Sequence, residues 1–300
     1  MSQPLYGQRS DPYAAPECPR HPGVRSVDYC KRCNRPMCTQ CVVPTEVRSI
    51  CVDCAGRGRG NLFGSARAAR PRQWGSVRVS AQTPLVTYAI IGVCVALWVG
   101  DILTKGVITQ YLGFTPIHGL YQPWRILTTA FLHVNLMHIA FNMVSLYAVG
   151  RALEPALGRG PYFCLYLLSA LGGTLGVLGW VLIDPSSALT VTVGASGAIF
   201  GLFGSVFVLQ RAAGIDVRAV AGLLAVNLLY GFIVSGVSWQ AHVGGLLFGM
   251  LATWGMLALG KPRSGMTAKK QRRRLYLGIA GMFLLELVIL VVTYMVLLNI

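Results

Sequence analysis

The sequence predicts an all-α polytopic membrane protein of seven spans, preceded by a small cysteine-rich domain. Composition, the spacing of long apolar runs and the placing of the cysteines carry that prediction. The 300 residues are 54% hydrophobic and only 12% charged, yet 26 Lys and Arg stand against 10 Asp and Glu, a net charge of +16. Soluble domains are about a quarter charged. The balance therefore excludes an ordinary soluble enzyme, a disordered tail and an ordinary nucleic-acid-binding domain, and it leaves a bundle whose few charges sit in loops. Seven of the nine cysteines fall between Cys18 and Cys54, far too local for a chain-wide disulfide framework.

The elements follow in order. Residues 1–17 are expected to be a disordered N-terminus, 18–55 the cysteine-rich domain, and 56–82, rich in Gly, Ala, Ser and Arg, a flexible basic linker. The polar N-terminus does not read as a secretory signal, and no internal repeat is evident. Apolar runs near 84–103, 129–149, 161–183, 192–210, 218–235, 240–260 and 275–298 follow. Each has roughly the 20 residues that cross a hydrocarbon core of about 30 Å. The first six make a core over 83–260, a basic loop occupies 261–274, and a seventh helix lies in 275–300.

Charge sets the orientation. Of the 26 basic residues, 24 lie before the first run or in the even-numbered loops, and only Lys105 and Arg125 lie in the odd ones. The positive-inside rule then puts the N-terminus in the cytoplasm and the C-terminus on the outer side of a cell membrane.

Two polar residues at matching depth carry the chemistry. Ser196, in Gly194-Ala195-Ser196-Gly197, is expected about four residues inside the fourth helix; His242, in Ala241-His242-Val243-Gly244-Gly245, about two inside the sixth. Both helices run inward, so both side chains sit shallowly below the outer surface, where a nucleophile and its base could meet. Gly197 and Gly201 on one helix, Gly245 and Gly249 on the other, let them approach closely. A lone Ser in a Gly-rich helix is ordinarily packing, and a lone His near a helix end is ordinarily interfacial; the pair is the signal.

The second helix is expected to add His133, His138 and Asn142. His138 and Asn142 are four apart on one face, and polar groups at membrane depth need partners or a wet cavity. A metal site is the lesser reading, because no carboxylate stands beside them and Asn is a poor zinc ligand. Asn142 is suited to donate to a developing oxyanion. Glu286, in the seventh helix, reads as helix packing or a polar contact to the core.

Together these residues resemble the rhomboid intramembrane serine proteases. GASG at 194–197, AHVGGLLFG at 241–249, His133/His138/Asn142 on the second helix and Trp124-Arg125 in the first loop match that family's motifs in order, over roughly 84–260. Glu154 fits a structural Glu of the family, and Phe200 stands where many members carry Tyr against the catalytic His. The resemblance implies a six-helix protease core with a seventh helix appended, no catalytic cofactor, and a Ser196–His242 dyad. His138, Asn142 and the Ser196 N–H would stabilise the oxyanion. Its substrates would be membrane proteins whose helices weaken near the outer surface of the bilayer. Trp124-Arg125 are expected to anchor the first loop at the interface. The acid inventory agrees, since from the first helix onward the only acids are Asp101, Glu154, Asp184, Asp216 and Glu286, and none is placed beside His242. A non-catalytic rhomboid-like adaptor that binds membrane helices is the alternative. A transporter would call for paired acids, and only Glu286 hints at one.

The cysteine-rich domain reads as a zinc module. Cys18-x2-His21, Cys30-x2-Cys33, Cys38-x2-Cys41 and Cys51-x2-Cys54 supply eight ligands, enough for two tetrahedral Zn²⁺ ions, in a reducing compartment that disfavours disulfides. The spacing resembles a B-box finger, which implies cross-bracing: Cys18, His21, Cys38 and Cys41 on one ion, Cys30, Cys33, Cys51 and Cys54 on the other. Sequential pairing stays open. The module is expected to dock a cytoplasmic protein partner, with nucleic acid the lesser option. Cys94 and Cys164 read as plain core residues.

Overall fold

The computed structural model describes residues 16–31, 33–44, 49–54, 83–234, 236–261 and 265–299, in two compact units before and after the stretch 55–82. The expected linker and all but the last two residues of the expected disordered terminus lie outside the described residues.

Six short strands build the first unit: β1 (Glu17–Cys18), β2 (His21–Arg25), β3 (Asp28–Tyr29), β4 (Pro36–Met37), β5 (Val42–Pro44) and β6 (Ser49–Cys51). They pair consecutively into three antiparallel ribbons. The buried hydrophobic residues are Met37 and six cysteines. So little apolar surface offsets only part of the backbone ordering, which costs about 1–2 kcal/mol per residue.

The second unit is helical, with α1 (Leu85–Leu103), α2 (Val107–Leu112), α3 (Pro116–Gly119), α4 (Arg125–Thr128), α5 (Leu136–Leu157), α6 (Arg159–Val181), α7 (Ser196–Ala212), α8 (Arg218–Ile233), α9 (Trp239–Gly260) and α10 (Ala268–Leu297). Helices α1, α5, α6, α9 and α10 are long and apolar enough to cross a membrane; α7 and α8 are apolar but shorter, at 17 and 16 residues. The seven expected runs therefore all exist as helices. Helix α6 is the centre of the bundle, with 72% of its spanning window buried against 17% in α1 and α10. It packs on α7, α9 and α10.

Several boundaries differ from expectation for identifiable reasons. Helix α5 starts at Leu136, seven residues later than the apolar run, because the Asn135 side chain accepts a hydrogen bond from His138 N (2.8 Å) and caps it there. Helix α7 starts at Ser196 because the β-branched run Thr190-Val191-Thr192-Val193 lies extended, and Thr192 forms an isolated antiparallel bridge with Phe114. The second half of the expected loop 261–274 is instead the start of α10, capped by Thr267 and continued by Lys, Gln and Arg, which are good helix formers. The first connection holds α2, α3, α4 and a 3₁₀ turn at Thr129–Phe131, short elements for which an apolar-run reading has no signal. Tyr294, near the end of α10, donates to Pro116 O (3.0 Å) and ties this connection to the last helix.

Glu154 caps a helix other than its own. From α5 its carboxylate accepts from Val86 N (2.9 Å), Thr87 N (2.8 Å) and Thr87 Oγ1 (2.8 Å), so it satisfies the orphan donors at the start of α1. Removing it strands buried donors at about 1–3 kcal/mol each. Glu154→Ala should therefore lower the Tm of the purified protein by several degrees, and Glu154→Gln by less. An unchanged melting curve would refute the cap.

Candidate active site

Ser196 opens α7, with Ala195 as the N-cap residue, so it stands at the helix mouth and not a turn inside. The first N–H groups of α7 have no partner within the helix, and no side chain caps them. His242 is on the first turn of α9. Its Nε2 lies 2.9 Å from Ser196 Oγ, a hydrogen bond between two separate helices. Close backbone contact permits that distance. A Cβ on Gly245 would overlap the carbonyl of Gly197, and one on Gly249 would overlap Gly201.

Packing orients the imidazole. The Phe200 ring, one turn along α7 from Ser196, stacks on it at 4.1 Å between centroids and 12° between planes. His242 Nδ1 is buried without a hydrogen-bond partner. Four of the five acids in this unit are committed elsewhere: Asp101 to Thr109, Asp184 to Ser186, Asp216 to Arg218 N and Glu154 to α1. Among the described residues no carboxylate accepts from this imidazole.

His138 flanks the pair. A Cβ on Gly194 would lie 2.9 Å from His138 Nε2 and 3.6 Å from Ser196 Oγ, and Gly194 has φ 139°, so glycine is required twice over. Asn142 is buried one turn along α5, where its Nδ2 donates to His138 O (2.8 Å). One of its two N–H groups is thus engaged by its own helix. His133 is not on α5 as expected. It precedes the Asn135 cap, fully buried, with neither ring nitrogen hydrogen-bonded and its ring edge-on to His138 at 5.0 Å.

The segment ahead of Ser196 is held by residues that motif reading passes over. Gly194 N donates to Thr129 O (3.0 Å), and Thr129 Oγ1 donates to Thr192 O. Arg125 belongs to the same scaffold and is not an interfacial anchor. It is buried, donating to Gly113 O (2.6 Å) and Gln122 Oε1 (2.5 Å), because carbonyl oxygens of the first connection satisfy its guanidinium. Trp124 is half exposed and donates to Tyr111 O (3.2 Å). Only the β-branched run and the Arg could have flagged this scaffold in advance.

The first unit gathers its ligands into two groups, Cys18/His21/Cys38/Cys41 and Cys30/Cys33/Cys51/Cys54, each with ligand atoms within 4.8 Å of one another. This is the cross-braced arrangement and not the sequential one. His21 Nδ1 is 3.3 Å from both Cys38 Sγ and Cys41 Sγ, and Cys33 Sγ is 3.7 Å from Cys51 Sγ. A tetrahedron with Zn–S near 2.3 Å has edges of about 3.8 Å, so both groups have the size of a zinc site. Backbone N–H groups, that of Cys38 first, hold the Cys18 thiol down to about 6. Burial first, then the neighbouring thiols, pushes Cys41 up to about 11. Arg20 and Asp53, each within a different ligand pair, meet at 2.7 Å on the surface. A chelator should release two zinc ions per chain and make residues 16–54 protease-sensitive, because structural zinc supplies about 10–16 kcal/mol of folding energy per site. Retention of protease resistance after complete metal loss would contradict a zinc-built fold.

Comparison with known proteins places this site in a family. Residues 121–259 match the Rhomboid domain. The chain is 34% identical to the rhomboid protease GluP of Bacillus subtilis (strain 168) over 155 residues, 49% of this chain and 28% of GluP. It is 37% identical to YdcA of the same organism over 136 residues, 44% of this chain and 66% of YdcA. It is 29% identical to the rhomboid protease AarA of Providencia stuartii over 152 residues, 43% of this chain and 54% of AarA. The chain thus spans from about a quarter to two thirds of these relatives' lengths, and the domain match leaves out the cysteine-rich unit. Ser196, His242, His138 and Asn142 all fall inside it. Residues 121–259 are a rhomboid domain, and through it this multi-pass membrane protein is similar to the rhomboid proteases.

Proposed function

We propose that the protein is an intramembrane serine endopeptidase that cleaves transmembrane helices of other membrane proteins through a Ser196–His242 dyad. The observation that carries this reading is the 2.9 Å contact between Ser196 Oγ and His242 Nε2, with no carboxylate on Nδ1. Neutral His242 takes the Ser196 proton on Nε2 as Oγ attacks a peptide carbonyl. The oxyanion faces the free N–H groups at the start of α7, Ser196 N first, where the helix dipole also favours negative charge. His138 and the second N–H of Asn142 complete the donor set. His242 then protonates the leaving amine, and water, activated by the same imidazole, hydrolyses the acyl-enzyme. Stacking on Phe200 replaces a third triad member in holding the ring.

Helical carbonyls are hydrogen-bonded and shielded, so the scissile bond must lie where the substrate helix unwinds. With 24 of 26 basic residues on one face, the N-terminus is cytoplasmic and the site opens toward the other side. An impermeant thiol reagent should then modify a cysteine at Ser187 in intact cells and spare one at Met266. Likewise, the full chain in liposomes should cut a single-span substrate carrying helix-weakening residues near its outer end, at one bond close to that surface. Failure to cut such substrates, with the protein folded, would leave a helix-binding adaptor instead. The cysteine-rich unit is a zinc-dependent docking module for a cytoplasmic protein.

A further inference from the structure

The inner end of α10 carries a feature that proteolysis does not use. An open pocket of about 520 Å³ lies between the last turn of α9 and the first turns of α10, lined by Leu259, Lys270, Arg273, Arg274, Leu277 and Gly278. Its walls are fixed. Gln271 Nε2 donates to Gly260 O (2.5 Å), and Gly278 abuts Leu259 so closely that a Cβ there would overlap the leucine side chain.

The charges are arranged for an anion. Lys269, Lys270, Arg272, Arg273 and Arg274 occupy the first two turns of α10, where the helix dipole disfavours cations and no acidic residue offsets them. Helices α6 and α9, packed against α10, contain no Asp or Glu, and the only acid in α10 itself is Glu286, three turns further on. Among the described residues, the ion pairs lie in the cysteine-rich unit, none of them here. Arg274 Nη1 is shut off from solvent and has no hydrogen-bond partner. A guanidinium N–H left in that state is costly unless something outside the chain accepts from it. Beside it, Leu277 is 61% exposed. The pocket therefore offers a cationic head and an apolar flank in one place.

We propose that this pocket binds the phosphate headgroup of an anionic phospholipid. Arg274 donates to phosphate oxygens from the inner wall, Lys270 and Arg273 close over it, and one acyl chain runs down Leu277. Orientation alone accounts for exposed cations on this face; it does not account for a half-buried guanidinium with one nitrogen closed off and unpartnered.

The test uses the full chain in a neutral detergent, with phosphatidylglycerol or phosphatidylcholine added. Phosphatidylglycerol should raise the wild-type Tm by about 3 °C or more and remain bound, one per chain, in native mass spectrometry; phosphatidylcholine should do neither. Arg274→Gln should lose both effects without a lower lipid-free Tm, because it removes a cation that has no protein partner. Lys270→Gln/Arg273→Gln, changing exposed side chains only, gives the same answer should Arg274→Gln fail to fold. Lys269→Gln/Arg272→Gln removes two exposed cations outside the pocket and should keep both effects. Equal loss in that control, or no loss in the pocket variants, overturns the site. An equal Tm rise from soluble glycerol phosphate overturns the lipid. Each readout is independent of proteolysis.

Discussion

Ser196→Ala and His242→Ala are each expected to lower the rate of substrate cleavage in liposomes by about 10³-fold or more, and the double variant to be no worse than either single one. The non-additivity is the informative part. Without the base, Oγ stays protonated; without Oγ, the base has nothing to activate. Residues that act as a unit lose their joint contribution at the first substitution. Substrate affinity should change little, because neither side chain is needed to hold a helix against the bundle. Phe200→Tyr should keep the stacking on His242 and most of the rate. Independent, multiplying losses in the double variant would mean that the two residues serve separate purposes.

Gly245→Ala is expected to lower the rate by about 100-fold through a single added methyl. The new Cβ would overlap the Gly197 carbonyl, one residue beyond the nucleophile, so α7 and α9 must separate. Backbone atoms cannot yield as a flexible side chain does, and overpacking costs typically about 1–3 kcal/mol. A displacement of about 1 Å at a reacting pair costs on the order of 10²-fold in rate. The variant should therefore show a lower Tm and a rate about 100-fold down. Gly179→Ala in α6 is the matched control, since a Cβ there meets nothing within 4 Å, and it should leave both quantities unchanged. Equal behaviour of the two variants would show that the α7–α9 approach does not set the Ser–His distance.

The legible parts of this protein are those written in periodicity and pairing. Seven apolar runs became seven helices, and the four ligand pairs became two metal-sized groups, because a run length or a two-residue spacing states its own geometry. The matching depth of Ser196 and His242 was legible for the same reason. What escaped was written in contacts between distant segments. His133 looked helical, but the Asn135 cap starts α5 beyond it, and Asn in that position is itself a start signal. The extended Thr190–Val193 run was absorbed into an apolar helix because hydropathy is blind to β-branching. Arg125 was placed at the interface because its acceptors, Gly113 O and Gln122, become neighbours only once the first connection folds. Lys270 to Arg274 were read as a loop because their charge spoke louder than their helix propensity.

The central claim is that Ser196 is a nucleophile activated by His242, and covalent capture tests it most directly. The purified protein is treated with a fluorophosphonate and the adduct is mapped by peptide mass spectrometry. The account predicts a single adduct on Ser196 in the wild type, none in Ser196→Ala, and labelling at least about 100-fold slower in His242→Ala. A folded wild type that does not label, or a Ser196→Ala variant that labels equally, would contradict it.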